Sequence, residues 1–125
     1  MALVTLDDTI TIAFSVKDRH ASAKWFENML GFETLYHADE AGWSEVQTNT
    51  AGVTLGLGEH TTPAPGNCVP VFGTTDLDTA RQALEKANVV FDGETDVVDG
   101  MVKTATFYDP DGNALMIAQD LTAGS

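Results

Sequence analysis

One pattern of predicted secondary structure occurs twice along the chain. In the first half, residues 9–16 alternate apolar and polar side chains, as in a half-buried strand. Asp18 then offers a helix N-cap, apolar residues follow at helical spacings, and Gly31 is suited to a left-handed helix end. Three further strands are predicted at residues 32–37, 43–48 and 52–58. This half is therefore predicted to be a βαβββ unit.

The second half repeats this order after residues 60–67, a segment that contains two prolines. A strand is predicted over residues 69–74, Asp76 and Asp78 offer N-caps, and Asn88 tolerates a left-handed helix end. Further strands are predicted at residues 89–91, 103–108 and 114–119. We predict a first module at about residues 8–59, a linker at 60–67 and a second module at about 68–120.

The fold class follows from how such units bury their apolar faces. One helix covers only one face of a four-stranded sheet, so the other face needs a second layer. We expect an α+β fold in which the two βαβββ modules form a curled mixed sheet around a cleft, with the helices on the outside. The 125 residues correspond to a single domain of ordinary size.

The charge and the cysteine content exclude several classes of partner. The formal net charge is −13, from 19 Asp and Glu against 6 Lys and Arg, and it repels nucleic acid. No apolar stretch is long enough to span a membrane, and we expect no signal peptide. The single cysteine, Cys68, agrees with a cytoplasmic location. Such acidity either steers a cationic ligand towards the protein or only favours solubility.

Short motifs occur at the helix of each half and at the last turn. They are VKD at residues 16–18, WF at 25–26, MLGF at 29–32, TDLDTA at 75–80 and FYDPDGN at 107–113. In this order they resemble the vicinal oxygen chelate superfamily, which includes glyoxalase I, bleomycin-resistance proteins and extradiol dioxygenases. The resemblance covers residues 9–119 and implies the fold described above, whereas the DPDGN motif by itself indicates only a tight turn.

The resemblance also implies where the enzymes of this superfamily would hold a divalent ion. The four ligand positions correspond to Thr11, Leu55, Val69 and Met116 in this chain. None of them carries a His nitrogen or a carboxylate oxygen, and one neutral hydroxyl does not hold a divalent ion against water. We therefore expect no metal and no cofactor, which argues against glyoxalase and dioxygenase activity.

A neutral and apolar cleft floor suits an organic ligand instead. Trp43, on a strand expected to wall the cleft, either stacks on an aromatic or cationic molecule or packs in the core or a dimer interface. The residues expected to bind the ligand are Thr11, Ala13, Trp43, Glu45, Gln47, Leu55, Val69, Thr104 and Met116.

The expected function is metal-free binding of a small cationic or aromatic compound, such as an antibiotic, by a chain that the resemblance implies to be a homodimer. Two alternatives remain open. In one, a lyase or isomerase uses Glu45 as general base with His37 as its partner, although a solvated carboxylate and a strand-edge histidine are the simpler interpretation. In the other, a divalent metal is held by unusual ligands such as His37, Glu45 and His60.

Overall fold

Each half of the chain folds into a four-stranded mixed sheet with one α-helix, so the predicted α+β fold of two βαβββ modules is confirmed. The computed structural model describes residues 3, 7–60, 62–63 and 68–122, and the predicted linker lies mostly outside this part. The chain divides into two units, Met1–Thr62 and Pro63–Ser125. None of the helices described is long and apolar enough to cross a membrane.

The first unit has its strands in the order β1-β4-β3-β2. β1 runs parallel to β4, and the other neighbouring strands are antiparallel. A short 3-10 helix at Asp39–Ala41 joins β2 to β3. The elements are β1 (Ile10–Ser15), α1 (Arg19–Leu30), β2 (Glu33–Ala38), β3 (Trp43–Gln47) and β4 (Val53–Gly58).

Both predicted caps of α1 are confirmed. The Asp18 carboxylate accepts a hydrogen bond from the Ala21 backbone N–H at 3.1 Å, which satisfies one of the free donors of the first turn. Gly31 ends the helix in the left-handed conformation, with φ of 72°. A residue with a Cβ would be strained in this conformation. Glycine at this position therefore allows the chain to reverse into β2.

The core of the first unit lies between α1 and its sheet. Phe26 on α1 is fully buried, and so are Val46 on β3 and Leu55 and Leu57 on β4. Each such side chain contributes about 1.5–3 kcal/mol by leaving water. Because side chains alternate along a strand, the residues between these point to the sheet face that lies away from α1.

A buried arginine ties the start of α1 to the rest of the first unit. The Arg19 side chain is 7 % exposed, and its Nη1 donates to Asp39 Oδ1 at 2.8 Å and to Ser44 Oγ at 3.2 Å. Its Nε donates to Glu59 Oε1 at 3.2 Å. Hydrogen bonds from His20 and Arg19 lower the pKa of Asp39 below its ordinary value. This network fixes the 3-10 helix and the end of β4 against α1.

The second unit repeats the arrangement, with strands in the order β5-β8-β7-β6. Asp76, rather than Asp78, is the N-cap of its helix, because the Asp76 carboxylate accepts from the Thr79 backbone N–H at 3.2 Å. Asn88 has the predicted left-handed conformation, with φ of 68°. The elements are β5 (Val71–Gly73), α2 (Leu77–Lys86), β6 (Asp96–Val98), β7 (Val102–Tyr108) and β8 (Ala114–Asp120).

The strand predicted at residues 89–91 is wrong. Only Phe91 forms a bridge there, to Phe107, and the second strand of the unit begins later, at Asp96. Gly93 has φ of 70°, and its carbonyl accepts from Arg81 Nη2 at 2.7 Å. The left-handed residue and this contact interrupt the pairing with β7, which resumes at Asp96.

The DPDGN motif forms the tight turn between β7 and β8, as predicted. Asp109 is buried, and its carboxylate accepts from the backbone N–H groups of Asp111 and Asn113 and from the Asn113 side chain, at 2.8–2.9 Å. Burial raises the pKa of Asp109, and the three donors oppose that shift. Gly112 supplies the left-handed residue of the turn, with φ of 84°. The motif therefore has a structural role in this chain.

Candidate ligand-binding face of the first sheet

Polar side chains from all four strands meet on the face of the first sheet that lies away from α1. Glu45 on β3 lies opposite Tyr36 on β2. Thr11 on β1 lies opposite Thr54 on β4. Most of the neighbours of these residues along β3 and β4 are buried on the α1 side, so alternation directs this set to the other side. We call this surface the Glu45 face, defined by Thr11, Tyr36, Trp43, Glu45 and Thr54.

Glu45 is only 9 % exposed and accepts four hydrogen bonds. Its Oε1 accepts from Trp43 Nε1 at 2.7 Å and from Tyr36 Oη at 3.4 Å. Its Oε2 accepts from Thr54 Oγ1 at 2.6 Å and from Thr11 Oγ1 at 3.2 Å. A buried charge is tolerated only when its hydrogen-bonding capacity is met, and here donors from all four strands meet it. The carboxylate is therefore held in one position.

Trp43 lies across β4 at two glycines. A Cβ built on Gly56 would overlap the Trp43 ring, and one built on Gly58 would lie 3.2 Å from Trp43 Cζ3. The indole can approach the backbone this closely only because both positions lack a side chain. Its N–H bond to Glu45 fixes the rotation of the ring, and Trp43 stays partly exposed. The face thus presents an oriented aromatic surface.

Two more of the expected ligand-binding residues share this side of the sheet. Ala13 is exposed and lies opposite Gly56. Gln47 lies opposite Thr54, but its Nε2 lies within hydrogen-bond distance of three backbone carbonyls at the turn between β3 and β4. The NH₂ group of Gln47 therefore stabilises the turn, and its donors are used there.

The prediction that Leu55 contributes to this face is wrong. Leu55 is fully buried, and it lies opposite Ile12 on β1 and Val46 on β3. Its apolar side chain is stabilised by packing in the core with α1. The adjacent residue, Thr54, points to the Glu45 face and donates to Glu45.

The predicted partnership of His37 with Glu45 is also wrong. His37 lies opposite Ser44, on the α1 side of the sheet, and its Nδ1 is 2.6 Å from Ser44 Oγ. Its ring stacks on that of His20, with 3.8 Å between the ring centroids. Tyr36 occupies the position opposite Glu45 instead.

The α1 side of β2 holds a small groove, with a volume of about 280 Å³. A hydrogen bond from Thr34 lowers the pKa of Glu27, one of its lining residues. The groove contains no residue of the Glu45 face, so His37 belongs to a separate environment. Its lining residues are His20, Ala23, Lys24, Glu27, Thr34 and His37.

In the second unit, Thr104 and Met116 share the sheet face that lies away from the buried residues of β7 and β8. β5 begins at Val71, which lies opposite Met116. Val69 precedes the strand, so the prediction that it is a strand residue is wrong. Pro70, which has no N–H to donate, separates Val69 from β5, and its carbonyl accepts from the Met116 N–H at 2.9 Å.

The donor set of the Glu45 face does not fit a divalent ion. Glu45 is its single carboxylate, and the four groups around it are hydroxyls and an indole N–H. Divalent metal sites in proteins combine several imidazole, carboxylate or thiolate ligands. Within residues 7–60, 62–63 and 68–122, no group of three or more His, Cys, Asp or Glu side chains is arranged to hold a metal.

Sequence reasoning missed Tyr36, Thr54 and the two glycines under Trp43. One signal for the glycines was available, because Gly56 and Gly58 alternate with the core residues Leu55 and Leu57. Small residues at alternate positions of a strand mark a face that something large approaches closely. Tyr36 had no such signal, because a break in the strand register decides its direction.

Comparison with other proteins identifies the family. Three solved structures are similar to this chain, with TM-scores of 0.74–0.77. One is a member of the Glyoxalase/bleomycin resistance protein/dioxygenase superfamily from Sphaerobacter thermophilus, which is 20% identical. The others are the antibiotic binding protein TnmS3 from Streptomyces sp., at 22% identity, and the fosfomycin resistance protein FosX from Listeria monocytogenes, complexed with Mn(II) and sulfate, at 17%. In the same order, the matches cover 95%, 96% and 93% of this chain. They cover 100%, 99% and 92% of the three matched chains. No curated protein is significantly similar in sequence. The family described as Glyoxalase/Bleomycin resistance protein/Dioxygenase superfamily matches residues 10–117, and the chain belongs to this superfamily.

Proposed function

We propose that this protein is a metal-free, cytoplasmic binding protein that sequesters a small, planar, positively charged organic molecule on the Glu45 face. The observation that carries the proposal is the position of Trp43, which lies against Gly56 and Gly58 and is fixed by its bond to Glu45. A flat ligand can stack on the ring without any rearrangement of the sheet.

The charge of the protein and of the face supports a cationic ligand. The net charge of −13 raises the local concentration of cations around the chain. A cation over an indole ring gains about 0.5–2 kcal/mol, and stacking adds about 0.5–1.5 kcal/mol. Glu45 supplies a carboxylate beside the same ring.

Among similar structures, TnmS3 is described as an antibiotic binding protein and FosX as a fosfomycin resistance protein. At 22% and 17% identity they share a fold with this chain. The binding alternative is favoured here because the Glu45 face offers an aromatic surface and a single carboxylate rather than a set of metal ligands.

The hydrogen bonds of Glu45 weigh against its use as a general base. A base must present a free lone pair to the proton that it removes. The four donors around Glu45 match the roughly four lone-pair sites of its carboxylate, and His37 lies on the other side of the sheet. Attracting a cation by its charge, which needs no free lone pair, therefore suits this carboxylate better than removing a proton.

The test is a fluorescence titration with planar cationic dyes of the acridine class. Trp25 is the other tryptophan, so the Trp25→Phe variant isolates the emission of Trp43. We expect saturable quenching in this background, one ligand per binding face, and no chemical change of the dye by mass spectrometry. Replacing Trp43 by Leu in full-length protein should weaken binding, measured by calorimetry, at least tenfold. Turnover of the dye, or no binding by any cationic aromatic compound, would contradict the proposal.

We further propose that the binding protein is a homodimer. Exposed apolar side chains at the sheet edges, including Leu35 on β2 and Val97 and Val98 on β6, support an interface that offsets the negative charge. Light scattering during gel filtration measures the mass, and a mass near the 13.3 kDa of one chain would exclude the dimer.

A further inference from the structure

We infer that Glu45 sets the direction of the hydroxyl protons on its face, so that the face accepts hydrogen bonds from a ligand and selects molecules that carry N–H donors. The inference rests on the proposed function and names the chemistry that the ligand must bring. Aromatic amines, amidines and protonated ring nitrogens fit this description. Carboxylates, phosphonates and other groups that only accept hydrogen bonds do not.

Two donors around the carboxylate have protons whose direction is fixed. The indole N–H of Trp43 can only donate, and it donates to Oε1. Thr54 has one hydroxyl proton, and the short distance of 2.6 Å assigns it to Oε2. An ionised carboxylate accepts only, so every neighbour of Glu45 must turn its hydrogen inward.

Thr11 is the exposed residue whose hydroxyl direction depends on Glu45. Its Oγ1 lies 3.2 Å from Glu45 Oε2 and 3.0 Å from Thr54 Oγ1. Since the Thr54 proton is used on Glu45, the Thr11 proton points inward to one or both of these acceptors. The exposed Thr11 oxygen is left with lone pairs alone, and it can only accept from a ligand.

Tyr36 adds a second outward acceptor, with a weaker inward bond. Its Oη is 3.4 Å from Glu45 Oε1, and the residue is 51 % exposed. When its proton points to the carboxylate, its oxygen also offers lone pairs to solvent. Thr11 and Tyr36 come from the two edge strands of the sheet, so acceptors lie on both sides of Glu45.

The Glu45→Gln substitution should reverse this arrangement. Gln has nearly the same shape, and because Trp43 can only donate, the amide oxygen must take the place of Oε1. The amide NH₂ then lies where Oε2 was, beside the two threonine hydroxyls. Both hydroxyls then accept from the amide, and the Thr54 proton moves to its nearest other acceptor, Thr11 Oγ1 at 3.0 Å. The Thr11 proton therefore turns outward and the face gains a donor.

Glu45→Gln removes the negative charge and also reverses the direction of the hydroxyl protons. The experiment must separate these two effects. Two neutral probes of similar size do this: carbazole, whose ring nitrogen donates, and acridine at pH 8, whose ring nitrogen accepts. The matched control for the charge change is Glu33→Gln, an exposed residue of the same sheet. All variants are made in the Trp25→Phe background, and their folding is checked by circular dichroism.

We expect the wild-type face to bind carbazole about threefold to tenfold more tightly than acridine, the effect of one neutral hydrogen bond. Glu45→Gln should abolish or reverse that preference, and Glu33→Gln should leave it unchanged. An unchanged preference in a folded Glu45→Gln variant would overturn the inference while leaving the binding function intact. If neither the neutral probes nor the cationic dyes bind the wild-type protein, the proposed function fails first.

A second variant tests the same point without touching the carboxylate. Thr11→Val keeps the shape of an exposed side chain on β1 and removes the outward oxygen. It should reduce the preference for carbazole over acridine about threefold to tenfold. The opposite pattern, weaker acridine binding alone, would mean that the Thr11 proton points outward, and it would overturn the inference.

Discussion

The indole N–H of Trp43 and the carboxylate of Glu45 meet at 2.7 Å, although the two residues are separated by only one position on β3. Side chains two apart on a strand point to the same face, and their reach allows one to orient the other. The bond fixes the indole over the glycines of β4 while it satisfies one oxygen of a buried charge. Aromatic surface and carboxylate are thus parts of one preformed unit.

Gly56→Ala should disrupt this unit. The new Cβ would overlap the Trp43 ring, so the indole must leave its position and the bond to Glu45 is lost. Overpacking of this kind costs about 1–3 kcal/mol of the free energy of unfolding, measured by urea denaturation. The matched control is Gly73→Ala on β5, where a Cβ would meet nothing within 4 Å. Equal stabilities of the two variants would contradict the described position of Trp43.

The direction of side chains on β2 was beyond prediction from the sequence. Glu33 and Thr34 pair with Gln47 and Val46, but Leu35 has no partner and the register resumes at Tyr36. This bulge exchanges the two faces for the rest of the strand. Simple alternation continued from Glu33 would put His37 on the Glu45 face, and the bulge puts Tyr36 there instead.

Features that depend on a few adjacent residues can be predicted from the sequence. The helix ends at Gly31 and Asn88 and the tight turn of the DPDGN motif each depend on a few adjacent residues, and all were predicted correctly. The assignment of Leu55 failed for a different reason. Motif spacing locates the strand, whereas its alternation with the glycines decides which face Leu55 occupies.

Asn88 gives a direct test of the second helix end. Its φ of 68° is costly for most residues with a side chain, by about 1–2 kcal/mol, and asparagine is among the more tolerant. Asn88→Gly should therefore raise the free energy of unfolding by about 0.5–1 kcal/mol, and Asn88→Ala should lower it by a similar amount. Thermal and urea denaturation of the two variants measure both changes. Destabilisation by glycine would contradict the left-handed conformation.

Acid should weaken the network around Asp39. Hydrogen bonds from His20 and Arg19 lower the pKa of this carboxyl below 3.8, so the folded protein favours its charged form. A lowered pKa in the folded state stabilises the protein above the ordinary pKa of the group, and that contribution is lost as the pH falls through the folded value. The stability difference between wild type and Asp39→Asn should shrink as the pH falls below about 4. A difference that grows over that range would contradict this sign.

Chelation should leave ligand binding unchanged. The Glu45 face offers one carboxylate among hydroxyl and indole groups, which is too few hard ligands for Mn²⁺ or Zn²⁺. We expect protein dialysed against EDTA to bind a cationic acridine dye with the affinity of untreated protein, within about twofold, because the expected contacts are stacking and hydrogen bonds. Mass spectrometry of untreated protein should find no stoichiometric metal. A fall in affinity on chelation that Mn²⁺ or Zn²⁺ restores would show that a metal takes part in binding and would exclude the metal-free role.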